Sequence, residues 1–184
     1  MSETFIEDMN IVREIMDGFL SQEHISKGLQ QINEIGITGW EKWWQVELAI
    51  YLDEYPGIEE WDMEHEFEVD RRKYDGDRLY VDFGFTYSGW NGSYAFLELK
   101  QNNDYKKCID MMFKDAEKYE VLKSKSMDGL EKRSVFVVGM FQKKNWDDIQ
   151  EYFDSCMEHY EFEFEDDEFM LLDSKSHKWG MLIF

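Results

Sequence analysis

The chain has 184 residues, 43% of them hydrophobic and 17% aromatic. That is enough for one domain with a substantial buried core, and it excludes a disordered acidic chain, which would lack aromatics. The formal net charge of −21 argues against nonspecific nucleic-acid binding, which relies on Lys and Arg to displace counterions from phosphates.

Pro56 is the one proline, and no low-complexity linker or internal repeat divides the chain. A single domain over 1–184 is therefore expected, with a helical N-terminal cover (1–36), a core (40–141) and a C-terminal extension (145–184). Cys108 and Cys156 have no CxxC partner or His-rich neighbourhood, so neither zinc nor a disulfide framework is expected and a reducing compartment fits. The start, Met-Ser-Glu-Thr, has no long apolar run, so no signal peptide or membrane span is expected and the protein is expected to be soluble and cytoplasmic. The charge is uneven. Lys100 to Arg133 holds nine bases and seven acids, a local +2, whereas Glu158 to Asp173 holds eight acids and no Lys or Arg.

In chain order, Phe5, Met9, Val12, Ile15, Met16 and Phe19 recur at spacings of three and four, which predicts an amphipathic helix from Thr4 to about Leu20. A second helix is expected over His24 to Ile35, with Gly36 and Gly39 punctuating its end. The stretch Trp40 to Leu52 carries an apolar stripe of Trp40, Trp43, Trp44, Leu48 and Tyr51. Glu47 falls inside that stripe. Either it is solvated at the edge or bonded to an indole, or it is buried and bound to a cation, because a buried carboxylate needs a partner.

Pro56-Gly57 stops that helix, and Trp61 to Asp70 then alternates apolar and acidic residues as a strand with one apolar face. Arg71-Arg72-Lys73 and Asp75-Gly76-Asp77 form a charged turn. Next comes a hairpin, Leu79 to Phe85 and Tyr94 to Gln101, joined through Ser88-Gly89-Trp90-Asn91-Gly92. Alternation puts Val81, Phe83 and Phe85 on one face, and Tyr80, Asp82 and Gly84 on the other. Ala95, Leu97 and Leu99 share a face, opposite Tyr94, Phe96, Glu98 and Lys100. With the turn centred on Trp90, Asp82 stands directly across from Glu98, with Cβ atoms about 5 Å apart.

After Gln101 the period becomes helical, with Tyr105, Cys108, Met112, Ala116, Tyr119 and Leu122 apolar and Lys106, Lys107, Lys114, Lys118 and Lys123 basic. The basic positions read either as a solvated face with helical ion pairs to Asp110 and Asp115 or as a phosphate-contact face. Ser134 to Phe141 is a continuous apolar run suited to a strand buried on both faces, and Asn145 caps a helix from Trp146 to Tyr160. Two strands are expected to close the chain, Glu161 to Leu171 and Trp179 to Phe184. The fold class is thus α/β (α+β), a mixed central sheet flanked by helices.

The order helix, strand, hairpin with Asp and Glu-x-Lys, helix, buried strand resembles the PD-(D/E)xK nuclease superfamily, the restriction-endonuclease-like fold, from Trp40 to Phe141. The matching residues are Glu47, Asp82 in Val81-Asp82-Phe83, and Glu98-Leu99-Lys100 followed by Gln101. No Pro precedes the Asp. The resemblance implies that Asp82 and Glu98 bind a divalent metal (Mg²⁺ or Mn²⁺) with Glu47 assisting, that Lys100 positions or activates water, and that Gln101 lies near the substrate. Lys106 and Lys107 are the candidate phosphate contacts beside them. Mg²⁺ usually takes one or two protein carboxylates plus water and phosphate, which Asp82 and Glu98 supply. His24, His65, His159 and His177 have no metal-ligand spacing, and no GxSxG, P-loop or Rossmann glycine pattern occurs.

Two functions compete. One is a metal-dependent nuclease whose partner is nucleic acid, in defence or a mobile element. The other is a nonenzymatic immunity or inhibitor protein that uses the same scaffold and whose acidic surface binds a basic toxin nuclease or mimics DNA. The net charge favours the second, since complementary charge speeds and orients association. The convergence of Asp82, Glu98 and Lys100 favours the first.

Overall fold

In the computed structural model, residues 3–69, 78–165, 167–173 and 178–184 are described. The charged turn at 71–77, Asp166 and His177 lie outside them. Three helices come first: α1 (Glu3–Leu20), α2 (Glu23–Ile35) and α3 (Glu41–Glu54). Strands β1 (Ile58–Glu68), β2 (Arg78–Tyr87) and β3 (Ser93–Gln101) follow, then α4 (Tyr105–Tyr119), β4 (Glu131–Gln142), α5 (Trp146–Tyr160), β5 (Met170–Asp173) and β6 (Trp179–Ile183). The strands form one mixed sheet in the order β1-β2-β3-β4-β6-β5. Only β3 and β4 run parallel, joined by α4 as the crossover that a parallel pair requires; the other neighbours are antiparallel. The fold is therefore α/β with helices flanking a mixed sheet. No helix among the described residues is long and apolar enough to cross a membrane.

The sheet separates two apolar clusters. On one face α1, α2 and α3 pack against Phe83, Phe85, Leu97, Leu99, Phe136, Val138 and Met140. On the other, α4 and α5 pack against Phe96, Val137, Phe141 and Leu182. The central strands β3 and β4 are thus covered on both sides, which is why Ser134 to Phe141 reads as a continuous apolar run. Helix α4 lies especially close to β4: a Cβ on Gly139 would overlap Met112 Sδ. Asn145 caps α5 through its side chain, which accepts the Asp147 N–H at 3.3 Å.

Three sequence expectations change. The apolar face assigned to 61–69 is not continuous, because Trp61 and Met63 pack with the α1–α3 cluster, whereas Phe67 and Val69 belong to the α4–α5 cluster. The exchange occurs at Glu64, whose φ of 58° breaks the extended alternation. Its partner strand exchanges faces with it: Val81 joins the α4–α5 cluster while Phe83 and Phe85 stay on the other side. Third, residues 161–165 form no strand, and strand begins only at Met170. The rings of Phe162 and Phe164 instead turn inward onto Phe113, at centroid distances of 5.6 and 6.4 Å, while Glu161, Glu163 and Glu165 stay exposed. Burying two phenyl rings outweighs an alternating edge strand that would have left one ring face in water.

Candidate functional site

Strands β2 and β3 are paired only from Phe83–Leu97 to Phe85–Ala95. Asp82 is next in register to Glu98, as the hairpin reading requires, but the ladder stops one residue short and the strands splay. Beyond the split, β2 pairs with β1, and β3 pairs with β4. The Asp82 carboxylate fills the opening. Its Oδ2 accepts the Leu99 N–H at 2.8 Å, and its Oδ1 accepts the Gln45 side-chain N–H of α3 at 2.7 Å. A side chain thus replaces the missing strand partner, leaving no orphan N–H.

Glu98 and Lys100 project from β3 toward α4. Glu98 is 7% exposed, and Lys100 Nζ donates to its Oε1 at 2.5 Å. The same ammonium lies 2.9 Å from Asp115 Oδ2, and Lys118 pairs with the other Asp115 oxygen. The Tyr119 hydroxyl lies beside Glu98 and donates to the Tyr80 carbonyl at 3.5 Å. From the α3 side, Glu41 Oε2 accepts the Gln101 backbone N–H at 3.1 Å.

Burial raises the Asp82 and Glu98 carboxyls above the ordinary carboxylate range, and repulsion from Asp82 raises Glu98 further. Burial raises Glu41 too, with Glu98 adding to it and Lys100 opposing. Burial alone would favour neutral Lys100, but Glu98 and Asp115 outweigh it and hold the ammonium charged.

These shifts have a sign for stability. A carboxyl raised in the folded state keeps its proton to higher pH than in the unfolded chain. Between the ordinary and raised values the folded state binds more protons, so stability falls as pH rises through that window. Wild type is therefore expected to lose stability as pH rises from the ordinary carboxylate range through the raised one. Asp82→Asn should be flatter over that range and more stable at its upper end. The new amide can still accept from Leu99 N–H, and its own N–H₂ can donate to Gln45 Oε1, which is buried without a partner, once the Gln45 amide turns over. Thermal melts across pH beside an exposed control, Glu54→Gln, check this. A steeper or unchanged profile for Asp82→Asn would contradict it.

Of the residues singled out in the sequence, Asp82, Glu98 and Lys100 are brought together, and Gln101 is adjacent, buried, with its amide on Asn103 at 2.9 Å. Glu47 is not among them; it faces α2 and lies 3.3 Å from His24 Nε2. At 3.6 residues per turn it stands about 200° around α3 from Gln45. The reason is that α3 has two apolar sides. Its Trp43 and Tyr51 stripe packs on Gly28 of α2 and Gly18 of α1, and Glu47 belongs to that stripe; Gln45, Leu48 and Leu52 belong to the other, buried side. The α3 carboxylate at the site is Glu41. Lys106 stands about half a turn around α4 from Asp115 and lies over the Tyr152 ring of α5, 5.0 Å from its centroid. Lys107 is exposed in the first turn, about 80° around from Asp115. Of the expected pair partners on α4, Asp115 holds Lys118, whereas Asp110 accepts the Tyr152 hydroxyl at 3.0 Å.

Glu41, Gln45, Asp115 and Tyr119 were missed by sequence reasoning. The available signals were an acid in the first turn of α3, a Gln four residues later, and an Asp beside Ala116 on the buried side of α4.

The donors suit a hard cation. Four carboxyls (Glu41, Asp82, Glu98, Asp115) meet two ammoniums (Lys100, Lys118), an excess of two negative charges when all four are ionised, and the orphaned Gln45 Oε1 adds a neutral oxygen. Among the described residues no group of three or more His, Cys, Asp or Glu is arranged to hold a metal ion. A cation here would therefore use the Asp82–Glu98 pair with water and substrate oxygens, a usual Mg²⁺ pattern. Comparison with protein-family models, curated proteins and solved structures finds no match to this chain.

Proposed function

We propose that the chain is a divalent-metal-dependent nuclease of the PD-(D/E)xK type. The observation that carries this reading is the opening between β2 and β3, where Asp82 lies near enough to Glu98 for the two carboxylates to repel and Lys100 stands beside Glu98. The order α3-β1-β2-β3-α4-β4, with β3 and β4 parallel, supports it. Asp82 and Glu98 would hold Mg²⁺ or Mn²⁺, which supplies charge neutralisation at a phosphoryl oxygen and a water of lowered pKa. Gln45 and the Leu99 N–H orient Asp82. Glu41 fixes the end of β3 through the Gln101 N–H. Lys100 would stabilise charge that develops on the phosphate oxygens.

A second reading is favoured by the net charge of −21 and by the exposed Glu59, Glu60, Asp62, Glu64 and Glu68 along the edge strand β1. On that reading the same fold is an acidic inhibitor that binds a basic protein such as a toxin nuclease.

One experiment separates the two. DNA and RNA are incubated with the protein and Mg²⁺ or Mn²⁺, beside the near-isosteric Glu98→Gln. The nuclease reading expects cleavage that falls about 10²- to 10³-fold in the variant. No cleavage of either polymer, with a tight complex formed equally well by wild type and Glu98→Gln with a basic nuclease, would favour the inhibitor.

A further inference from the structure

The crossover helix contributes a buried acid that the proposed chemistry does not itself use. Asp115 is 8% exposed on the sheet-facing side of α4, where an unpaired carboxylate is costly. Its two oxygens carry two ammoniums, Lys100 Nζ at 2.9 Å and Lys118 Nζ. Lys100 in turn lies 2.5 Å from Glu98, so the four groups form a chain of alternating charge from buried Glu98 to partly exposed Lys118.

We propose that Asp115 is the positioning residue of the site, holding Lys100 through a partner other than Glu98 so that Glu98 is free to turn to a divalent cation. This rests on the reading of Glu98 as a cation ligand. Were Glu98 the sole counter-ion of Lys100, a cation drawn to Glu98 would leave a buried ammonium without a partner and would be repelled by it. With Asp115 on the far side, Lys100 stays compensated whether Glu98 faces it or the cation. Lys118 balances the second Asp115 oxygen, which holds the acid in place. Outer partners of this kind set the orientation and basicity of the groups that touch a metal.

The test is Mn²⁺ affinity, measured by titration calorimetry on the full chain without substrate, with folding followed by circular dichroism. Glu98→Gln should abolish binding. Asp115→Asn should weaken it about 10- to 100-fold, and Asp115→Glu should recover part of the loss. The exposed neighbour Glu117→Gln, which removes the same charge from α4, should change it less than about twofold. Wild-type affinity in Asp115→Asn, with binding still lost in Glu98→Gln, overturns the role of Asp115 and leaves the metal reading standing. Binding insensitive to Glu98→Gln, or none in wild type, overturns the metal reading and this inference with it. If Asp115→Asn does not fold, acylation of Lys100 in wild type decides. The inference expects Mn²⁺ to leave Lys100 protected from an amine-reactive ester, and a marked rise in its labelling on Mn²⁺ addition overturns it.

Discussion

Lys100→Met is expected to cost about 3–5 kcal/mol of folding stability near neutral pH, the range for removing one partner of a buried ion pair. The side chain keeps its apolar stem and loses one heavy atom, so the loss is chiefly that of the ammonium. Lys100 is the cation between Glu98 and Asp115, whose side chains are only 10% and 11% exposed. Without it, two buried carboxylates face each other, and Asp82 already repels Glu98. The loss should shrink as pH falls, because protonation removes the uncompensated charge and the folded-state carboxyls here protonate above their ordinary range. Mg²⁺ should stabilise the variant more than wild type, since it replaces a missing positive charge and binds only the folded state. Denaturant midpoints at two pH values, with and without Mg²⁺, measure all three effects. A Lys100→Met protein as stable as wild type near neutral pH would mean that the ion-pair chain carries no folding energy.

Phe113→Ala is expected to lower stability by a similar amount, about 3–5 kcal/mol, for an unrelated reason. Phe113 is fully buried on α4 and touches rings from three other parts of the chain. It stacks on Tyr160 at 5.4 Å and 6°, and meets Phe153 of α5 at 5.4 Å, Phe162 at 5.6 Å and Phe184 at 4.9 Å. These contacts hold the acidic segment after α5 against the sheet. Its exposed acids repel one another, and the anchored rings offset that repulsion. The variant should therefore unfold at lower denaturant and also be cut first by protease near 161–165. Added salt should slow that cleavage by screening the acids. Cleavage that starts elsewhere, with 161–165 still protected, would show that the segment does not depend on Phe113.

Both predictions turn on α4, and the sequence described that helix only in part. Its apolar positions are spaced for one buried side, and that side is observed. Its charges were harder to assign. Periodicity reports which side of a helix faces the core, but not which charged residue at the border of that side meets a group arriving from another strand. Asp115 and Lys118 have the spacing of an ordinary surface pair, and only the approach of Lys100 from β3 makes Asp115 a buried junction.

The same division runs through the molecule. Helices α1, α2 and α5, the hairpin and the buried strand β4 follow from local pattern, because period, capping and turn residues act over a few neighbours. The approach of Asp82, Glu98 and Lys100 was also legible, since a hairpin of known turn fixes which residues face each other. Tertiary structure decided the rest. It sandwiched α3 between the sheet and two helices, so that its most aromatic stripe faced away from the site and took Glu47 with it. It exchanged the faces of β1 and β2 at Glu64 and drew the rings of the acidic segment inward. In each case a local pattern was satisfied by burial against a partner distant in sequence, and that partner is set by the packing of the whole chain.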